Sequence, residues 1–393
     1  MRFTKSSTLA VCVVAICLLT GWTDFTDGVK SFGIPVYGGG GGGIPVSTTG
    51  EYFFVDSGSS GRRDAADRGG SPDRPFATLD FAIGRCVDDR GDVILLAPGH
   101  AETITAAGGV TVDVSGVSII GIGEGDLRPT FTFTTAAAAS WVVSESDILI
   151  TNLRFVNGVD NQNHMIDLSG NDVTITYCDF TDSSTTSGLG FITADTADWD
   201  SDNLHVYRCF MIGYLDAAAN MDSAVRIEKD NRNVRLEENV VYGDFDNAPL
   251  WVSAGGADSI NAMFYGNKVT NLQTNKAAIS VSGATATGSA FDNRLSTDTK
   301  ASAFDTAALA CAGNLWIDSD GTDDVEGVPV NNLESATGLG TYPTAADPAA
   351  GVSVAASIAQ IAEATNKGTG TAIASNKSLV DAMGTDDLLL AMA

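Results

Sequence analysis

Two clusters of ionisable side chains mark where this chain could do chemistry: Asp195, Asp198, Asp200 and Asp202, and then Arg226, Glu228, Lys229, Asp230 and Arg232. Two carboxylates flanking a glycosidic bond could hydrolyse it. Carboxylate-held Ca²⁺ beside an Arg or Lys could instead support proton abstraction and stabilise the anion of a lyase reaction. Both clusters fall in polar stretches between apolar segments, where charge is the ordinary solvated surface of a β-rich protein, so neither is assigned a catalytic residue. His100 follows Pro98 and Gly99 and reads as a turn residue rather than a base.

Metal chemistry finds little support. The chain has no C-x-x-C, and its three histidines are scattered at 100, 164 and 205, which excludes the usual zinc spacings. In 318-DSDGTDDVE-326 the carboxylates of Asp318, Asp320 and Asp324 flank Gly321 in the manner of part of a Ca²⁺ loop. The full loop pattern is missing, and an acidic linker is the preferred reading. No cofactor or metal is assigned.

The elements that would position these residues are legible in a repeat. One phrase recurs seven times: an apolar residue, two spacers, an anchor that is nearly always Asn or Cys, one spacer, and a second apolar residue. The copies are Ile150/Leu153/Phe155, Ile175/Cys178/Phe180, Val206/Cys209/Met211, Leu236/Asn239/Val241, Phe264/Asn267/Val269, Ala290/Asn293/Leu295 and Cys311/Asn314/Trp316. The anchors lie 21 to 31 residues apart, a period that signals a solenoid. Strand-length alternating segments such as 141-WVV, 190-GFITA, 224-AVRIE and 277-AAISVS stand between them, and no helical period persists. Strands that return in one direction once per turn stack in parallel and leave only the two ends unpaired. The expected fold is all-β, a right-handed parallel β-helix, the hand following the crossover preference.

The anchors also account for cysteines. Stacked amides can bond one another along the axis, and Cys fits the same slot as a small buried hydrophobe. Cys178 and Cys209 share register with Asn239, Asn267, Asn293 and Asn314, so packing is expected of them rather than nucleophilic chemistry. Two of the other cysteines, Cys12 and Cys17, lie in the hydrophobic N-terminus, and no disulfide framework is expected.

Ahead of the repeats, Phe76, Leu79, Ile83 and Cys86 are spaced for a short amphipathic helix, opened by Pro72 and Pro75 and followed by Gly91. Such a helix can cover the open end of a solenoid. The phrases VDSG, SPDRPFATLDFAI, GDVILLAPG and ETIT resemble the first turn of pectate-lyase-like right-handed β-helix proteins, in which a capping helix precedes a strand ending in Pro-Gly. The resemblance spans about residues 50 to 317 and implies the fold. That fold hosts lyases, hydrolases, tailspikes and inert scaffolds. The run Arg226-Ile227-Glu228-Lys229 shares only part of an R-I-K signature of polygalacturonases, whose Asp pairs and Gly-His-Gly are missing.

A net charge of −27, from 22 basic and 49 acidic residues, excludes a nucleic-acid-binding role, which needs a basic stripe. It also disfavours anionic polysaccharide. Abundant Gly (43) and scarce Pro (10) suit many tight turns between strands that keep their N–H donors.

Four regions are expected. Residues 1–50 form a hydrophobic start and a Gly-rich extended arm; 51–317 form the β-helix with its cap; 318–350 form a linker; 351–393 form a helical association segment. The first 25 residues read either as a secretory signal or anchor, or as a packed arm, since Met1–Lys5 precede an apolar run at Leu9–Leu19 that is short for a membrane span. No stable membrane association is expected. Six consecutive glycines at 38–43 form an adaptable strap, and the flanking Phe32, Ile34, Val36, Ile44 and Val46 need a partner surface.

The phrase FTDGVKSFGIPV resembles the N-terminal arm of virion structural proteins of tailed bacteriophages, F-x-x-G-V-x-S-F-G-x-P ahead of a β-rich body. That resemblance implies a capsid decoration or cement protein on the virion surface, with the major capsid protein or other virion subunits as partners. At the other end Val354, Ile358 and Ile361 follow helical spacing, a stripe too short to stand alone, and the resemblance implies a homotrimer. The alternative, from another class, is a secreted or tailspike polysaccharide lyase or hydrolase; a surface adhesin is third.

Overall fold

The computed structural model describes residues 49–319, apart from 183–187, 196–197, 199–200, 216–220, 253–257, 282, 284–285, 300–301 and 306–308, together with 30–31, 34–35 and 328–329. The chain divides into two units, Met1–Asn331 and Asn332–Ala393. The second lies outside the described residues, as do the 351–368 helix, the glycine strap and the hydrophobic start. Within the arm, Lys30–Ser31 pairs antiparallel with Ile34–Pro35.

The body is a parallel β-solenoid of three sheets with ten, ten and eight strands. The first sheet runs from Tyr52–Val55 to Leu309–Ala312, the second from Ala101–Ile104 through Leu315–Asp318 to Val328–Pro329, and the third from Val110–Val112 to Phe304–Asp305. Every strand pair in the coils is parallel; only Val328–Pro329 turns back antiparallel on Leu315–Trp316. Each position of the repeated phrase becomes a column. Its first apolar residue stacks in the first sheet, from Ile150 through Ile175, Val206, Leu236, Phe264 and Ala290 to Cys311. Its last stacks in the second, from Phe155 through Phe180, Met211, Val241, Val269 and Leu295 to Trp316. All of these are buried, and Phe155 and Phe180 lie flat on one another, centroids 4.8 Å apart and planes 8° apart.

Between the two columns the chain must bend sharply. In all seven copies the residue just before the anchor is left-handed, with φ between 51° and 68° at Asn152, Tyr177, Arg208, Glu238, Gly266, Asp292 and Gly313. Only two are glycine, so five side chains accept a conformation that sterics disfavour. Regular hydrogen bonding holds them there: the N–H of Tyr177 donates to Tyr207, that of Glu238 to Tyr265 and that of Gly266 to Phe291, each one coil on.

The anchors behave as expected. Asn239 donates through Nδ2 to the carbonyl of Val206 at 2.9 Å and to Oδ1 of Asn267 at 3.1 Å; Asn267 repeats this with Leu236 and Asn293, and Asn293 with Phe264 and Asn314. Cys178 and Cys209 occupy the same slot, both buried and neither in a disulfide; Cys311 is buried in the first-sheet column and Cys86 is half-buried. Burial pushes the Cys209 thiol well up, with Cys178 beside it adding to the shift, which suits a packing role and not a thiolate.

The capping helix is shorter than the spacing predicts. It spans Leu79–Ile83 and ends at Gly84, while Phe76 is extended and bridges to Val55. Pairing holds Phe76 in β geometry, its N–H donating to Phe54 at 2.9 Å and its carbonyl accepting from Asp56 at 3.0 Å, so only the middle of the amphipathic pattern, Leu79 to Ile83, coils. The helix still closes the core: Leu79, Ala82 and Ile83 are buried, Asp80 Oδ1 accepts from Thr111 N–H at 3.0 Å at the edge of the third sheet, and Leu79 N–H donates to Glu102 at 2.6 Å.

Candidate functional site

The acidic turn residues are part of the solenoid's fabric. Asp202 Oδ1 accepts from the backbone N–H of Arg232 at 2.8 Å, and its other oxygen lies 3.3 Å from Arg232 Nε. Asp230 accepts in the same way from Asp258 N–H at 2.7 Å, and Asp198 from Asp230 N–H at 3.4 Å. A carboxylate on one coil thus caps a free donor on the next, the satisfaction that turn backbone requires. Lys229 sits in the same turn, its carbonyl taken by Asn231 Nδ2 at 2.9 Å. Asp200 lies outside the described residues, as do Asp320 and Asp324; Asp318 ends a strand in register with Thr297. Among the described residues no group of three or more His, Cys, Asp or Glu is disposed to hold a metal ion.

His100 is fully buried and structural. Its Nδ1 accepts from Ser57 N–H at 3.0 Å and its Nε2 lies 2.8 Å from Glu102, which makes Nε2 the protonated nitrogen of a neutral ring. It ties the first strand's end to the first coil.

A different set of residues does converge, on the outer face of the third sheet. In the strands His164–Leu168, Gly190–Ala194, Ser223–Ile227 and Leu250–Val252, the flanking positions Ile166, Ile192, Val225 and Leu250 are buried in the core. Between them the register aligns Asp167, Thr193, Arg226 and Trp251 in a single column. Arg226 sits 3.2 Å from Asp222, pairs with Glu228, and lies 5.6 Å above the Trp251 ring. Asp167 Oδ2 is 3.5 Å from His164 Nε2. Burial raises the Asp167 carboxyl; His164 partly offsets this, and Asp195 adds to it.

Three consecutive members of this column, Asp167 Oδ1, Thr193 Oγ1 and Arg226 Nε, are buried without a hydrogen-bond partner among the described residues. Such groups ordinarily hold a water or a ligand. A carboxyl raised by burial, a hydroxyl, a guanidinium and an indole in line could bind a polyhydroxylated molecule. Of the ionisable clusters read from the sequence, Arg226, Glu228 and Asp195 contribute here. Asp202, Asp230 and Arg232 do not. His164, Asp167, Thr193 and Trp251 are legible only once the strands are aligned.

No protein-family model matches the chain, and no curated protein matches it. Among solved structures it is similar to a rhamnogalacturonan lyase at 13% identity and a TM-score of 0.24, over 68% of this chain and 66% of that one, just under two thirds of the latter's length. A likeness at that level carries nothing about activity.

Proposed function

We propose that the chain is a structural protein of a tailed-phage virion. In this reading it is a capsid decoration or cement protein that docks through residues 22–50 onto the major capsid protein or other virion subunits. The β-solenoid projects outward, and residues 351–393 join three copies. One observation carries it: the solenoid closes its own N-terminal end with the helix Leu79–Ile83, Asp80 and the His100 tie. A phage-like arm with six glycines is therefore not needed to complete the core and is available for attachment. The ion-paired, backbone-capping turn carboxylates fit a fabric role for the acidic surface. The test is sedimentation of shells stripped of this protein with added full-length chain. Wild type should bind and a Phe32→Asp/Ile34→Asp double variant should remain in the supernatant; equal occupancy by the variant rejects the docking role.

The third-sheet column favours a second reading, a polysaccharide lyase or hydrolase. Its test is depolymerisation of bacterial polysaccharide by the purified chain, with loss in Asp167→Asn as the expected sign.

A further inference from the structure

The outer face of the first sheet carries a line of side chains that neither the core nor the third-sheet column uses. Two positions before successive anchors, Tyr207, Glu237, Tyr265 and Phe291 stack in register from coil to coil. Tyr177 adjoins the line, its ring 6.0 Å from that of Tyr207, and Tyr177 and Tyr265 are 46% and 42% exposed. Successive coils are spaced by about 4.8 Å, so the rings mark a straight track along the axis.

The Tyr177–Tyr207 end of the track is tied by a polar network. Arg208 lies 4.8 Å over the Tyr207 ring, donates to the Tyr177 hydroxyl at 3.0 Å and pairs with Glu238. Both oxygens of Glu237 are engaged, one with His205 Nε2 at 3.0 Å and the other with Arg235 at 2.7 Å. Arg208 and Arg235 balance Glu237 and Glu238, so this patch is close to neutral within a chain of net charge −27.

We propose that this face binds an uncharged polysaccharide laid along the solenoid axis against Tyr177, Tyr207 and Tyr265. A linear track of rings suits an extended polymer. Tyr177 and Tyr265 each offer an exposed apolar ring with a polar edge, matching the C–H face and hydroxyl rim of a sugar, and the half-buried Tyr207 beneath Arg208 backs Tyr177. The balanced charge gives no attraction for an acidic chain, which the molecule's overall charge repels. Because the network ties Tyr177 and Tyr207 beforehand, little ordering cost falls on those two rings on binding. The site is separate from the third-sheet column and independent of the virion assignment.

The test is affinity electrophoresis of the full chain in gels containing laminarin, dextran or hydroxyethylcellulose, with polygalacturonate as the acidic comparator. At least one neutral polymer should retard the protein, and a Tyr207→Ala/Tyr265→Ala variant should lose roughly tenfold or more in affinity. Tyr242→Ala, at an exposed ring on the second sheet, should bind as wild type. If the double variant melts early, Tyr177→Ala supplies the same comparison from an exposed turn position. Retardation by none of the neutral polymers, by polygalacturonate alone, or equally for wild type and tyrosine variants overturns the proposal.

Discussion

Oδ1 of Asn267 accepts two hydrogen bonds from Asn239 one coil away, from the backbone N–H at 3.0 Å and from Nδ2 at 3.1 Å. One side chain thus satisfies a buried main-chain donor and a buried amide that water cannot reach. The same oxygen exists at Asn239, Asn293 and Asn314, serving Cys209, Asn267 and Asn293. Replacing Asn267 with Leu leaves both donors of Asn239 without that acceptor, and a loss of about 1–3 kcal/mol is expected. Chemical denaturation of the two proteins measures it; unchanged stability rejects the amide ladder as a source of stability.

Cys209 tests the slot from the other side. Its Sγ stands 3.6 Å from the Ile175 carbonyl, in the place where Asn239 Nδ2 meets Val206. Asn at 209 should reach that carbonyl and continue the ladder by one coil, so Cys209→Asn is expected to remain within about 1 kcal/mol of wild type. Cys209→Ala should cost more than Cys209→Asn but less than Asn267→Leu. A Cys209→Asn protein less stable than Cys209→Ala would show that the slot discriminates between the two residue types.

These columns were open to the sequence because the distance from the first sheet to the second is constant: three residues from apolar position to anchor and two more to the next apolar position. The third-sheet column was not. Asp167, Thr193, Arg226 and Trp251 follow anchors 153, 178, 209 and 239 at differing offsets, because the loops between the second and third sheets vary in length. Without a fixed period, alternation cannot align them. Phe76 departs from its helical spacing for another reason: that spacing to Leu79 and Ile83 competes with strand pairing to Val55, and tertiary pairing decides. Tyr207, Glu237, Tyr265 and Phe291 hold a constant offset from their anchors, but outward positions leave no apolar pattern to notice.

Asp92 predicts acid sensitivity at the N-terminal end. Burial opposes its charge, but Arg90 at 2.7 Å and the N–H groups of Glu51 and Val87 outweigh this and hold the carboxyl below its ordinary range. A carboxyl lowered in the folded state contributes stability above its unfolded pKa of about 3.9 and loses it as pH falls through the lower folded value. Asp92→Asn should therefore melt below wild type at pH 7, with the gap closing under acid. A gap that stays constant with pH would contradict an ionic origin.

Asp167 predicts the opposite slope. Its carboxyl is raised by burial, so the folded chain binds the proton more tightly than the unfolded chain does, and stability falls as pH rises from the unfolded pKa through the raised folded value. Asp167→Asn removes that cost and should melt above wild type at neutral pH while matching it in acid. Thermal melts across that window decide the sign. A variant less stable at pH 7 would mean that His164 favours the charge more than burial opposes it.

The N-terminal boundary of the solenoid lies at a definite strand. Tyr52–Val55 pairs along its whole length with Val93–Leu96, Phe53 and Val55 are buried in the core, and Ser57 N–H is bonded to His100. Removing residues 1–50 takes away none of these contacts, although Thr49 Oγ1 gives up a bond to the Arg90 carbonyl. That bond is exposed, so its loss should cost no more than about 1 kcal/mol. Removing residues 1–57 deletes the strand, exposes Phe76, Leu79 and Ile83 beneath it, and leaves His100 Nδ1 without its donor. The shorter deletion should melt close to full length and the longer one well below it or not fold. Under the virion reading, the shorter deletion should also fail to attach to shells. A folded 51–393 protein that still decorates them at full occupancy would reject the arm as the anchor without disturbing the fold boundary, whereas a 51–393 protein that does not fold would show that the arm contributes to the solenoid itself.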